Sequence, residues 1–222
     1  MNSLVGRGAF AALAAALLLF GLPQTAVSSW RLYADRNIDP YAIKDAAAAN
    51  AAAQAYPKLE ALDTELGDPD ARIEAATLRL QLASGAAGSR PSPGLIQEAS
   101  GDLESALARA PANDLAWYEL AEARFRLDDP AGAREALKTS MLLGFYDPAL
   151  NLARSALGVK LWLALDTADV QLVQNEVRSA WLSDPDGVAA LARQDPWTAN
   201  FVRHALDGEQ RGAFETRFSR HP

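Results

Sequence analysis

The 222-residue chain holds little that could do covalent or metal chemistry: two histidines, His204 and His221, and no cysteine. The absence of thiols excludes disulfides, thiolate zinc sites and thiol nucleophiles. It also suits an oxidising compartment, where no thiol can mispair. His221 is next to the last residue, and His204 falls on a predicted helix near Arg203 and Asp207, where it reads as a surface or interface residue. Carboxylates are plentiful, but most aspartates sit where they would cap helices. No HExxH pair, glycine-rich phosphate loop or GxSxG elbow is present, and Gly6-Arg7-Gly8 forms no nucleotide fingerprint. A glycan hydrolase would need two carboxylates facing each other across a cleft, which thin helical hairpins seldom form. The expectation is a protein that binds without catalysing, with no cofactor and no metal.

Charge narrows the partners. The formal net charge is −7, and no dense Lys/Arg run occurs, so nucleic acid is not expected. Arg203, Arg211, Arg217 and Arg220 cluster near the C-terminus, but Asp207, Glu209 and Glu215 are interspersed, the pattern of a solvated helix face. Half the residues are apolar, enough for a core. Many are alanine, which forms helix readily but buries little area, so thin, closely packed helix pairs are favoured.

The elements that must position any site are punctuated by six Asp-Pro pairs, at residues 39–40, 68–69, 129–130, 147–148, 184–185 and 195–196. An aspartate carboxylate accepts hydrogen bonds from the orphan N–H groups of a first helical turn. Proline needs no N–H at the next position and already has a helical φ. Ala/Leu-rich segments follow nearly every pair, so the chain reads as short helices restarted repeatedly, an all-α fold with no sheet.

The N-terminal stretch is of another kind. Residues 1–8 carry one charged side chain, Arg7, and residues 9–27 carry none. The strongly apolar part, Ala9 to Leu22, is intermediate between a signal-peptide core and a full membrane span. Two readings stay open. One is a signal peptide cut near Ala26-Val27-Ser28. The other, which is preferred, is an uncleaved anchor with Trp30 and Tyr33 at the interface and Arg31 just outside the lipid. Both send the rest of the chain across the membrane. Residues 1–8 would be cytoplasmic and 9–27 the anchor or signal, with residues 28–94 supplying N-terminal helices and a loop.

That loop, Gly85 to Gly94, holds two prolines, three glycines and two serines. Before it, Ile73, Ala76, Leu80 and Ala83 share a helix face. After it, Ala99, Leu103 and Ala106 stand at helical spacings of 4 and 3, with Pro111 five residues on. Trp117, Leu120 and Ala121 then precede a turn at Leu127-Asp128, followed by Ala133, Leu137 and Ser140. Small residues at 121 and 133 would let two antiparallel helices approach, with Trp117, Leu120 and Leu137 filling the seam. Two longer helices are expected next. The first, from 148 to about 165, aligns Leu150, Ala153, Leu157, Leu161 and Ala164. The second, from about 168 to 183, aligns Val170, Val173, Val177 and Trp181. Residues 185–222 read as shorter closing helices.

The pattern of Trp117, Leu120, Ala121, Ala133, Leu137 and Ser140 resembles the tetratricopeptide repeat, a helix–turn–helix unit. Arg124 stands where that family has Tyr, Leu137 replaces an aromatic and Ser140 an alanine. The resemblance implies a solenoid of hairpins over residues 95–184, with 185–222 as a cap. In such a superhelix the first helix of each pair lines the concave groove. On that basis Tyr118, Glu122 and Arg126, with Asn151, Arg154 and Ser155 on the next hairpin, are the expected partner contacts. The layout is similar to small membrane-anchored tetratricopeptide proteins of Gram-negative bacteria. This implies an inner-membrane, single-pass scaffold whose main domain lies in the periplasm and assembles envelope proteins. Such proteins accompany exopolysaccharide synthesis and export, secretion machines or cytochrome maturation, and the first is preferred. The alternative is a soluble periplasmic chaperone or binding protein released by signal cleavage.

Overall fold

The computed structural model describes residues 68–84, 92–144 and 147–219. The expected anchor or signal at 9–27, the Asp39-Pro40 pair, most of the Gly/Pro/Ser loop and His221 lie outside them. Among the described residues the protein is all-α, with nine helices, one 3₁₀ turn and no strand. None of these helices is long and apolar enough to cross a membrane. The chain divides into two compact units, Met1–Leu95 and Ile96–Pro222.

In the first unit, α1 (Pro69–Ser84) starts at an Asp-Pro pair, with Asp68 Oδ1 accepting from the Asp70 N–H at 3.1 Å. The predicted face of Ile73, Ala76, Leu80 and Ala83 is buried, and Ala71, Ala75 and Leu78 join it. Thr77 shares this burial because its hydroxyl donates back to the Ile73 carbonyl at 3.0 Å.

The second unit begins on α2 (Pro93–Leu107), which buries Ile96, Ala99, Leu103 and Ala106. Pro93 and Gly94, assigned to a loop from composition, are therefore helical. Proline is as well suited to a first helical position as to a loop. There follow α3 (Asp114–Arg126), α4 (Pro130–Leu143), α5 (Pro148–Lys160), a 3₁₀ turn at Trp162–Ala164, α6 (Thr167–Ser183), α7 (Pro185–Ala192), α8 (Pro196–Ala205) and α9 (Gly208–Phe218). Asp129, Asp147, Asp184 and Asp195 each cap the helix that follows, with a proline in its first turn and a carboxylate oxygen 2.8–2.9 Å from a helix N–H. Asn113, Asp166 and Asp207 cap α3, α6 and α9 without a proline.

Helices α3 and α4 form a hairpin. Ala121 and Ala133 are fully buried at its seam with Leu120 and Leu137, and Asp128 makes the turn at φ 61°. Aspartate tolerates this left-handed backbone better than most residues. Trp117, expected in the seam, is only half-buried; its indole N–H donates to the Pro111 carbonyl at 2.9 Å. Helices α5 and α6 form a second hairpin, with α4 and α7 also against them. Helix α5 ends at Lys160, not near 165. Leu161 stays buried while Trp162 and Leu163 face outward, and Asp166 resets the chain for α6. Helix α8 packs on α6 and α7, and α9 on α7.

Candidate functional site

Helix α5 carries two stripes at helical spacing. Of the expected apolar one, Leu150 and Leu157, with Leu161 just past the helix end, are buried, while Ala153 and Ala164 are only half-buried. The second, Asn151, Arg154, Ser155 and Gly158, is polar or small. Its first three members were expected at a surface facing a partner, yet all three are fully buried. The reason is packing on several sides, with α3 and α4 on one hand and α6 and α7 on the other.

Each polar group of this stripe is answered inside the fold. Arg154 Nε donates to Ser140 Oγ at 2.9 Å, Nη1 to the Gly144 carbonyl at 2.7 Å and Nη2 to Asp114 Oδ2 at 2.6 Å. Ser140 Oγ in turn donates to the Asp114 carbonyl at 2.7 Å. Gly144 ends α4 and Asp114 begins α3, so one guanidinium ties a helix C-terminus to a helix N-terminus. A cation beside the orphan carbonyls of a helix end is favourable. Asn151, with its amide nitrogen turned inward, donates to Glu176 Oε2 at 3.0 Å and to the Asp147 carbonyl at 2.8 Å. Ser155 Oγ donates to the Asn151 carbonyl at 2.7 Å. Burial pushes the Glu176 carboxyl up to about 7; nearby Arg154 opposes this, and Asp147 and Asp114 reinforce it. The arrangement positions helices, because its donors are committed to structural acceptors.

A second charged cluster joins α4 to the start of α6. Arg134 Nε pairs with the buried Asp169, Arg134 Nη2 lies 2.5 Å from Asp166 Oδ2, and Lys138 Nζ lies 3.0 Å from Asp169 Oδ1. The Asp166 carboxyl is held below its usual range, first by the hydrogen bond from the Asp169 N–H that it caps and also by Arg134.

Tyr118, Glu122 and Arg126 lie on the outer part of α3. Arg126 Nε donates to Glu122 Oε1 at 2.9 Å, an i, i+4 ion pair with both side chains partly exposed. Beside them Glu119 is buried, and desolvation, helped by Glu122 and opposed by Arg126, pushes its carboxyl up to about 7. Sequence reading passed over Glu119. The signal was its place three residues after Ala116 and four before Ala123, both on the buried face.

Several large apolar side chains remain outside: Leu142 is 58%, Leu163 93% and Leu182 68% exposed. His204 Nδ1 lies 2.7 Å from its own helix's Asn200 carbonyl. Among the described residues no group of three or more His, Cys, Asp or Glu could hold a metal ion. Comparison with known proteins finds no match to this chain among family models, curated proteins or solved structures.

Proposed function

We propose that the protein is a membrane-tethered scaffold of tetratricopeptide-like hairpins that holds protein partners in the bacterial envelope, within exopolysaccharide synthesis and export machinery. The observation that carries this reading is the division of labour between inside and outside. The interior polar groups around Arg154 are paired with one another across helices. Large apolar side chains such as Leu142, Leu163 and Leu182 are left at the surface of packed helix pairs. Exposed apolar groups that adjoin, as Leu163 does the Trp162–Trp197 pair with ring centroids 4.9 Å apart, favour protein contacts. Tyr118, Glu122 and Arg126 are retained as proposed contacts; the buried Asn151, Arg154 and Ser155 are not.

A photoreactive phenylalanine analogue placed at position 118 or 142 of the full-length protein tests the reading in cells. Cross-linked adducts in the membrane fraction that contain envelope proteins are expected. Adducts with cytosolic proteins alone, or none at either position, overturn it. Mass spectrometry of the mature N-terminus separates the two locations: an intact apolar segment supports the tether, and a start near Ser28 or Ser29 replaces it with a released periplasmic binding protein.

A further inference from the structure

Helices α5 and α6 are antiparallel, since Asn151 meets Glu176 while Gly158 meets Val173, and the two ends of this pair are held by different means. At the end nearest their connection, the start of α6 is pinned to α4. The buried Asp169 takes Arg134 Nε and, at 3.0 Å, Lys138 Nζ, while Asp166 Oδ2 lies 2.5 Å from Arg134 Nη2. One turn further along α6, Gly158 lets Val173 approach so closely that no Cβ would fit between them. Ion pairs and close packing fix this end at any pH at which the carboxylates are charged.

The far end hangs on a titratable group. Glu176 is buried, and its Oε2 accepts from the Asn151 amide at 3.0 Å, the same amide that holds the Asp147 carbonyl at 2.8 Å. The charged groups that face Glu176 are Arg154 of α5, Asp147 at the cap of α5 and Asp114 of α3. Helices α4, α7 and α8 also pack on α6 but contribute none among the described residues. The one cation, Arg154, directs its three nitrogens to Ser140, Gly144 and Asp114. An ionised Glu176 would thus be a buried charge opposite two like charges, with a single amide to solvate it. Such a charge is tolerated only where water can reach it. Desolvation accordingly raises this carboxyl to about 7. Beside it, the first turn of α7 lies on α5: a Cβ added at Gly187 would be 2.6 Å from Leu152 Cδ2.

We propose that Asn151 and Glu176 form a proton-operated latch: with Glu176 protonated α5 and α6 are closed along their length, and with Glu176 ionised the second half of α6 swings away from the first turns of α5 about the end pinned by Arg134. The moving part is α6, because α5 is tied on its other side by the three bonds of Arg154. Helix α7 packs on α6 and moves with it, so its first turn leaves Leu152. The closed pair keeps the proton between pH 4.5 and about 7, where a hydrated carboxyl has already lost it. The ratio of open to closed therefore climbs through that window and levels off above it. The latch stands apart from the scaffold reading, since it needs no partner.

The chain has no cysteine, so paired nitroxide labels on introduced cysteines report distances without background. One pair, Ala149→Cys with Leu182→Cys, spans the latch end; the other, Lys160→Cys with Ala168→Cys, spans the pinned end. All four positions are exposed. In the full-length protein the open fraction at the latch end should rise relative to the closed one by about 10-fold or more from pH 5 to pH 8, seen as a longer distance between labels 149 and 182. The 160–168 distance should stay constant. Glu176→Gln cannot ionise and should hold the latch-end pair at its pH 5 distance throughout. A latch-end distance that is the same at pH 5 and pH 8, an equal change at both ends, or an undiminished change in a folded Glu176→Gln overturns the proposal. Should that variant fail to fold by circular dichroism, the comparison of the two label pairs without it still decides.

Discussion

Arg154 joins three elements, its three guanidinium nitrogens bonding to groups of α3 and α4 from α5. Arg154→Ala strands the Asp114 carboxylate, Ser140 and the Gly144 carbonyl together. Breaking a buried ion pair costs about 3–5 kcal/mol; the lower end is expected here because Asp114 is 27% exposed. Urea denaturation followed by circular dichroism reads the loss, and Arg154→Lys should recover only part of it, because one ammonium cannot reach all three acceptors. The buried carboxyls Glu119 and Glu176 act through pH. Both are raised from 4.5 to about 7 in the fold, so the folded state binds more protons than the unfolded chain between those values. The stability they contribute is full below pH 4.5 and is lost as pH rises through 7. The urea midpoint should therefore be higher at pH 5.5 than at pH 8, and E119Q should flatten that difference; an equal slope in the variant removes Glu119 as a cause. These interior groups were only half legible in the sequence. The spacing of Asn151, Arg154 and Ser155 announces one face of a helix. A polar stripe looks the same facing solvent or facing partners from other helices, and those partners, Asp114 and Ser140, are far along the chain.

At the scale of elements, small residues decide how closely helices approach. Gly158 on α5 meets Val173 on α6 so tightly that a Cβ added there would lie 2.6 Å from both valine methyls and 3.2 Å from its Cβ. Valine on a helix has essentially one rotamer and cannot swing aside. Gly158→Ala should therefore destabilise by about 1–3 kcal/mol, although alanine alone would improve the helix by about 1 kcal/mol. Gly101, midway along α2, has nothing within 4 Å of an added Cβ, so Gly101→Ala should stabilise by up to about 1 kcal/mol. Thermal unfolding of the two variants should shift in opposite directions, and a parallel shift would show that α5 and α6 can separate at no cost. The helix starts were the most legible feature, because an Asp-Pro pair is a local signal: capping needs only the N–H groups two or three residues ahead. All five pairs within the described residues begin a helix. The end of α5 was not legible, since its apolar spacing runs on to Ala164 while the chain turns at Leu161 so that α6 can return along it.

At the scale of the whole second unit, most helix contacts are between near neighbours in sequence, α3 with α4, α5 with α6, α6 with α7 and α7 with α9. If the unit is a stack of hairpins, as proposed, its stability should be close to a sum of local terms. The C-terminal end offers a clean place to see this. Phe214 is the one buried residue of α9. Its ring meets Trp181 of α6 edge-on at 5.9 Å and Phe218 at 5.4 Å, with the Arg203 guanidinium 5.9 Å away. Removing a buried phenylalanine costs about 3–5 kcal/mol, and α9 has no second buried side chain to compensate. Phe214→Ala should thus release α9 and loosen its neighbours α7 and α8, while the α3–α4 hairpin, with its own seam of Leu120, Ala121, Ala133 and Leu137, stays closed. Hydrogen exchange read by mass spectrometry distinguishes the outcomes. Protection lost over residues 185–218 but kept over 114–143 fits neighbour-by-neighbour packing. Protection lost equally over both would mean that the unit folds as one cooperative block, with Trp181 and the Arg154 network carrying the strain from one end to the other.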